Sequence, residues 1–168
     1  INAGHLWVPK IGEELVGLLG RYPLGEEGLD QVRRQAVAVV GHTLNPHKGG
    51  QDRRTGLVVG YVQSGKTLSF TSVMALAHDN GVRLVILFSG TKQNLQRQTH
   101  SRLARDLRAA RPGGSPWLLL ENPSPGTPAA TEVGTILRAA PVQAGDNPFF
   151  QGMRLGQRTV IITVMKNS

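Results

Sequence analysis

The sequence predicts an α/β fold, a parallel sheet with helices on both faces. Two observations predict it. Apolar, strand-like runs at 56–62, 83–88, 116–120 and 160–165 alternate with helix-like segments, the order that winds a parallel sheet between helical layers. A Gly-rich turn, Gly60-Tyr61-Val62-Gln63-Ser64-Gly65-Lys66-Thr67, joins the first of those runs to a helix. It fits the phosphate-binding pattern G-x-x-x-x-G-K-[ST], in the strand-to-helix context that pattern requires.

In chain order, Pro9 opens a helix to about Gly20, with Ile11, Leu15, Leu18 and Leu19 on one face. A turn at 22–25 leads to a second helix over Gly28 to Val40, with Leu29, Val32, Ala36, Val39 and Val40 inward. His42 to Arg54 is a polar loop. Gly56 to Val62 reads as a buried parallel strand, followed by the phosphate loop. Leu68, Thr71, Ser72, Ala75 and Leu76 recur at helical spacing until Asn80-Gly81 stops that helix. Arg83 to Phe88 is the next strand. A fourth helix runs from Lys92 to Ala110, with Leu95, Thr99, Leu103, Leu107 and Ala110 as its stripe. Pro116 to Leu120 is a strand, and Trp117 belongs in the core. Asn122 to Pro128 is Pro-rich loop, Thr131 to Ala139 a short helix, 145–156 irregular, and Val160 to Met165 the last strand. Residues 1–55 form an N-terminal helical segment and 56–168 the sheet-bearing lobe.

The phosphate pattern has a physical logic. Glycines let successive backbone N–H groups converge on a phosphate without a Cβ in the way. The following helix aims its positive end at the same oxygens. Gly60, Gln63, Ser64, Gly65, Lys66 and Thr67 are thus the candidate ATP contacts. Lys66 reaches the outer phosphates as a point charge, and the Thr67 hydroxyl ligates Mg²⁺. Gln35 offers an amide that could pair with the adenine edge; it reads equally as an exposed helix residue.

Charge suggests the partner. The 168 residues carry a formal +8, and 14 of the 19 basic residues are Arg. Such an excess suits an anionic partner, nucleic acid above all. The fourth helix concentrates it: Lys92, Arg97, Arg102, Arg105, Arg108 and Arg111 stand against Asp106 alone. Ser89, Thr91, Gln93 and Arg97, around its start, are the candidate phosphate contacts, with a solvated basic face as the plainer reading.

Other chemistries find little support. The chain has no cysteine, hence no disulfide and no thiol nucleophile. Its five histidines show no metal-ligand spacing. No Gly-x-Ser-x-Gly elbow occurs. No apolar run approaches the length of a membrane span, so the expected partners include no membrane and the expected location is cytoplasmic. Glu121 is the one acid that follows an apolar run in the manner of a metal-site carboxylate, and an ordinary strand-end Glu is its simpler reading. The chain starts at Ile1 and stops just after a strand, so a fragment is expected, with the acidic motif beyond Ser168.

Gly56 to Thr67, then Leu84-Val85-Ile86-Leu87-Phe88-Ser89-Gly90-Thr91 and Asn94-Leu95-Gln96-Arg97-Gln98-Thr99, together resemble the first half of a superfamily-two helicase motor. They are most similar to the helicase-like N-terminal part of the bacterial "Z-one" domain endonucleases, as is the closing Val164-Met165-Lys166-Asn167-Ser168. The resemblance covers Gly56 to Leu107 well and the rest loosely. It implies a RecA-like P-loop ATPase lobe holding ATP and Mg²⁺ on Gly60, Ser64, Gly65, Lys66 and Thr67. It also implies Ser89-Gly90-Thr91 as the turn facing a nucleic-acid backbone and Gln35 as an adenine reader. The acidic box, the second motor lobe and any nuclease motif are missing from the pattern. The expected function is therefore the ATP-binding lobe of a nucleic-acid-dependent ATPase in a larger DNA-processing protein, inactive alone. A P-loop small-molecule phosphotransferase and a non-catalytic nucleotide-binding module are the alternatives.

Overall fold

A computed structural model describes residues 7–48, 53–59, 66–89, 91–112, 114–138 and 158–165. They form a small α/β fold of five helices and a three-stranded parallel sheet. The chain divides into two compact units, Ile1–Val82 and Arg83–Ser168.

The first unit is helical. Helix α1 (Glu13–Leu19) buries Leu15, Leu18 and Leu19, and α2 (Glu26–Gly41) buries Ala36 and Val40. Both pack on α3 (Lys66–Asp79), where the expected residues Leu68, Thr71, Ser72, Ala75 and Leu76 are all buried. Helix α3 ends in a Schellman motif: Gly81 takes φ +84°, its N–H donates to His78 O, and Val82 N–H reaches back to Ala77 O.

Helix α1 starts four residues later than Pro9 predicts, and Asp79 is the reason. Its carboxylate accepts three backbone N–H bonds, from Gly12 and Leu15 on Oδ2 and Glu14 on Oδ1, each at 3.1 Å. These are the donors that a helix start leaves without intrahelical partners, here capped from a distant helix rather than by a local side chain. Asn80 extends the clasp: its Oδ1 accepts Lys10 N–H at 2.8 Å, and its Nδ2 donates to Lys10 O and Leu76 O. Gly12 fits because nothing larger would; a Cβ there would lie 2.6 Å from Asp79 Cγ and Oδ1. Burial pushes the Asp79 carboxyl above its ordinary value of 3.8, against the opposing pull of the three N–H bonds and of His78.

One predicted element is not seen among the described residues. Residues 56–59 of the expected strand adopt no regular structure, and Leu57, Val58 and Val59 are 88%, 66% and 80% exposed. A strand has no hydrogen bonds of its own, so an apolar run becomes one only where a ladder accepts it. Residues 60–62 of that run lie outside the described residues.

The second unit holds the sheet, β1 (Leu84–Phe88), β2 (Trp117–Glu121) and β3 (Thr159–Val164), in the order β1-β3-β2. All pairings are parallel, with Leu84 opposite Val160 and Trp117 opposite Thr159. The last strand in sequence is thus the central one and the most buried. Helix α4 (Gln93–Asp106) joins β1 to β2, and α5 (Pro128–Arg138) joins β2 back to β3. These two crossovers run in opposite directions across the sheet, so the right-handed rule assigns the helices to opposite faces. Trp117, Leu103, Leu107, Ile136, Val160 and Ile161 make the core. On β1 alternate residues stay open, with Leu84 38%, Ile86 51% and Phe88 69% exposed. Helix α4 stops at Asp106, short of the predicted Ala110, because the chain turns at Arg108 with φ +52°.

Candidate functional site

Two places carry the sequence-predicted residues. In the first unit, Lys66 and Thr67 are the first described residues of α3. Thr67 is half-buried, and its carbonyl accepts the Thr71 hydroxyl at 2.6 Å. Gly60, Gln63, Ser64 and Gly65 lie outside the described residues, as does the side chain of Lys66. Gln35 sits on the exposed side of α2.

In the second unit, the parallel strands bring their carboxyl ends to one edge, where open α/β sheets hold ligands. Ser89 follows β1 there. Its N–H donates to Val164 O at 3.0 Å and its hydroxyl to the same carbonyl at 3.3 Å, so the side chain is turned onto β3. Thr91 and Gln93 are exposed at the start of α4, and Arg97 is exposed one turn further on. Gly90 lies outside the described residues. Glu121 ends β2 with its side chain exposed.

A buried polar network underlies this edge, and sequence reasoning did not find it. Gln96, on α4, is fully buried. Its Nε2 donates to Thr163 O at 2.9 Å, and its Oε1 accepts Asn122 Nδ2 at 3.0 Å. Asn122 takes φ +41°, a conformation Asn tolerates better than most residues. There its N–H donates to Thr163 O at 3.0 Å, while its Oδ1 accepts Met165 N–H at 3.3 Å. His100 Nδ1 lies 3.2 Å from Thr163 Oγ1, which donates to Leu120 O. One amide thus ties α4 to the ends of β2 and β3. The signal was present: Gln96, His100, Leu103 and Leu107 share a helical face. The stripe expected from Leu95 and Thr99 was displaced from it by one residue; Leu95 is 46% exposed.

Among the described residues, no three His, Asp or Glu side chains gather to hold a metal ion. No described helix is long and apolar enough to cross a membrane. No family model, curated protein or solved structure matches the chain.

Proposed function

We propose that this chain is the ATP-binding lobe of a helicase-like, nucleic-acid-dependent ATPase within a larger DNA-processing protein. The observation that carries the reading is the coincidence of motif and helix: the lysine of the phosphate pattern is the first described residue of α3 (Lys66–Asp79). A helix of that length presents unpaired N–H groups and the positive end of its dipole at its first turn. The residue types there fit a polyphosphate. Lys66 supplies a point charge, Thr67 a hydroxyl for the metal, and Gly60 and Gly65 are residues without a Cβ to stand between backbone N–H groups and a phosphate. Mg²⁺, when bound, neutralises charge between the outer phosphates. The three-stranded parallel sheet is compatible with a RecA-like lobe. A second motor lobe completes the engine in this reading, and nucleic acid is the partner that stimulates it.

Calorimetric titration with Mg·ATP tests the proposal. Lys66→Ala is expected to weaken binding by about tenfold or more, equivalent to about 1.4 kcal/mol or more. Its thermal unfolding in the absence of nucleotide should match the parent's. Equal affinities for the two proteins would discard the site.

A further inference from the structure

Helix α4 has two unlike sides. Gln96, Leu103 and Leu107 bury one of them against the sheet. The opposite side, at helical spacing, presents Asn94, Arg97, Gln98, Ser101, Arg102 and Arg105, all exposed. No acidic residue interrupts it. The helix's one carboxylate, Asp106, is buried and bonded to Arg105 Nε at 3.0 Å, while the Arg105 side chain remains 74% exposed. Among the described residues, the side chains of Arg97 and Arg102 make no ion pair or hydrogen bond, whereas Arg33, Arg34 and Arg158 each pair with a carboxylate.

We infer that this outward face of α4, rather than its N-terminal turn alone, is a track for a nucleic-acid backbone, read through phosphates and without base sequence. From Asn94 to Arg105 the face extends about 16 Å at 1.5 Å per residue. At one phosphate of a strand per 3.4 Å of duplex axis, that length laid along the axis corresponds to roughly four or five phosphates of one strand. Arg guanidinium forks match phosphate oxygens bidentately, and Asn94, Gln98 and Ser101 add neutral donors between them. The face carries no aromatic ring, so it offers no base stacking. It also lacks an apolar stripe, which a helix lying in a lipid surface needs; the apolar side of α4 is buried against the sheet. The anchoring of Gln96 between Thr163 and Asn122 fixes the helix on the sheet, so binding requires little ordering of the protein.

The inference rests on the nucleic-acid part of the function proposed above and is independent of nucleotide binding. Its test is fluorescence anisotropy of the 168-residue chain with a labelled random-sequence DNA duplex, without nucleotide, across a salt series. Neutralising roughly three phosphates gives a log–log salt slope of about −2.7, or ~40-fold weaker binding between 50 and 200 mM salt. Arg97→Glu with Arg102→Glu is expected to weaken binding by about tenfold or more and to flatten the slope by about 2. Arg97→Gln with Arg102→Gln should show a smaller loss in the same direction, and the paired Lys replacements should retain most of the binding. Circular dichroism checks that each variant is folded, and the Gln and Lys pairs decide the matter if the Glu pair is not. Lys66→Ala should bind DNA like the parent, so the two readings fail separately. Duplex binding unchanged by the Glu and Gln pairs would overturn the inference. So would displacement of the DNA by polyglutamate at equal charge.

Discussion

Asp79→Ala is expected to lower the unfolding free energy of the chain by about 3 kcal/mol. A hydrogen bond to a charged group contributes about 1.5–3 kcal/mol, and three end on this carboxylate, though their effects do not simply add. Removing it leaves Gly12, Glu14 and Leu15 as orphan donors at the start of α1, partly offset by relief of the buried charge. Asp79→Asn should recover little, because an amide presents N–H groups to N–H groups on one side. Gly12→Ala attacks the same contact from the other partner. Its Cβ would sit 2.6 Å from the carboxylate and 2.9 Å from Asp79 Cβ, too close for side-chain rotation alone to relieve. Both substitutions break one clasp, so the double variant should cost far less than the two single costs combined. Urea unfolding of the four proteins reads this directly; additive costs would show that the clasp is not a unit.

The same carboxylate gives the effect a pH dependence of definite sign. Desolvation raises its folded value above 3.8, so the folded chain holds the proton more tightly than the unfolded one. The stability linked to that proton is fully present below 3.8 and lost as pH rises through the folded value. The parent's advantage over Asp79→Ala should therefore widen on acidification from neutral pH. A gap that narrows instead would mean that the three N–H bonds outweigh burial.

Gln96→Leu is the second large effect, about 2–4 kcal/mol, although leucine is of similar size and more apolar. The fully buried amide serves Thr163 O and Asn122 Nδ2 at once, and Leu leaves the Asn122 amide without this acceptor. Gln96→Glu should be as costly near neutral pH. It keeps an acceptor for Asn122 but loses the donor to Thr163 O and places a charge where no water reaches. Asn122→Gly separates backbone from side chain. Gly adopts φ +41° freely, so its cost, about 1–2 kcal/mol, reports the lost side-chain bonds. Thermal and urea unfolding measure all three. If Gln96→Leu were neutral, the network would play no part in holding α4 to the sheet.

What was legible in the sequence was periodic or local. The α3 stripe from Leu68 to Leu76 and the apolar run 160–165, formed as a strand over 159–164, declared themselves because burial on a regular element imposes a period. The helix stop at Asn80-Gly81 was legible because a left-handed residue there calls for glycine. Tertiary choices were not legible. Nothing near Glu13 says that α1 is capped by a side chain 67 residues from Gly12. Nothing in Leu57-Val58-Val59 says whether a ladder will receive it. On α4 the buried face was misplaced because its key contact is an amide, and apolar patterns pass over amides. For the candidate site, the described part of α3 begins at Lys66, while Gly60 to Gly65 lie outside the described residues. The Ser89 hydroxyl donates to the Val164 carbonyl, a tertiary contact that no local pattern announces.

The order β1-β3-β2 imposes a timetable on synthesis. The two outer strands never bond to each other, and each finds its only described partner in residues 159–164. A ribosome that has released residues as far as 121 has therefore delivered two strands with no ladder between them. They wait until the keystone, about forty residues behind the second and seventy-five behind the first, leaves the exit tunnel. Of the three described strands, the one that joins the other two is translated last.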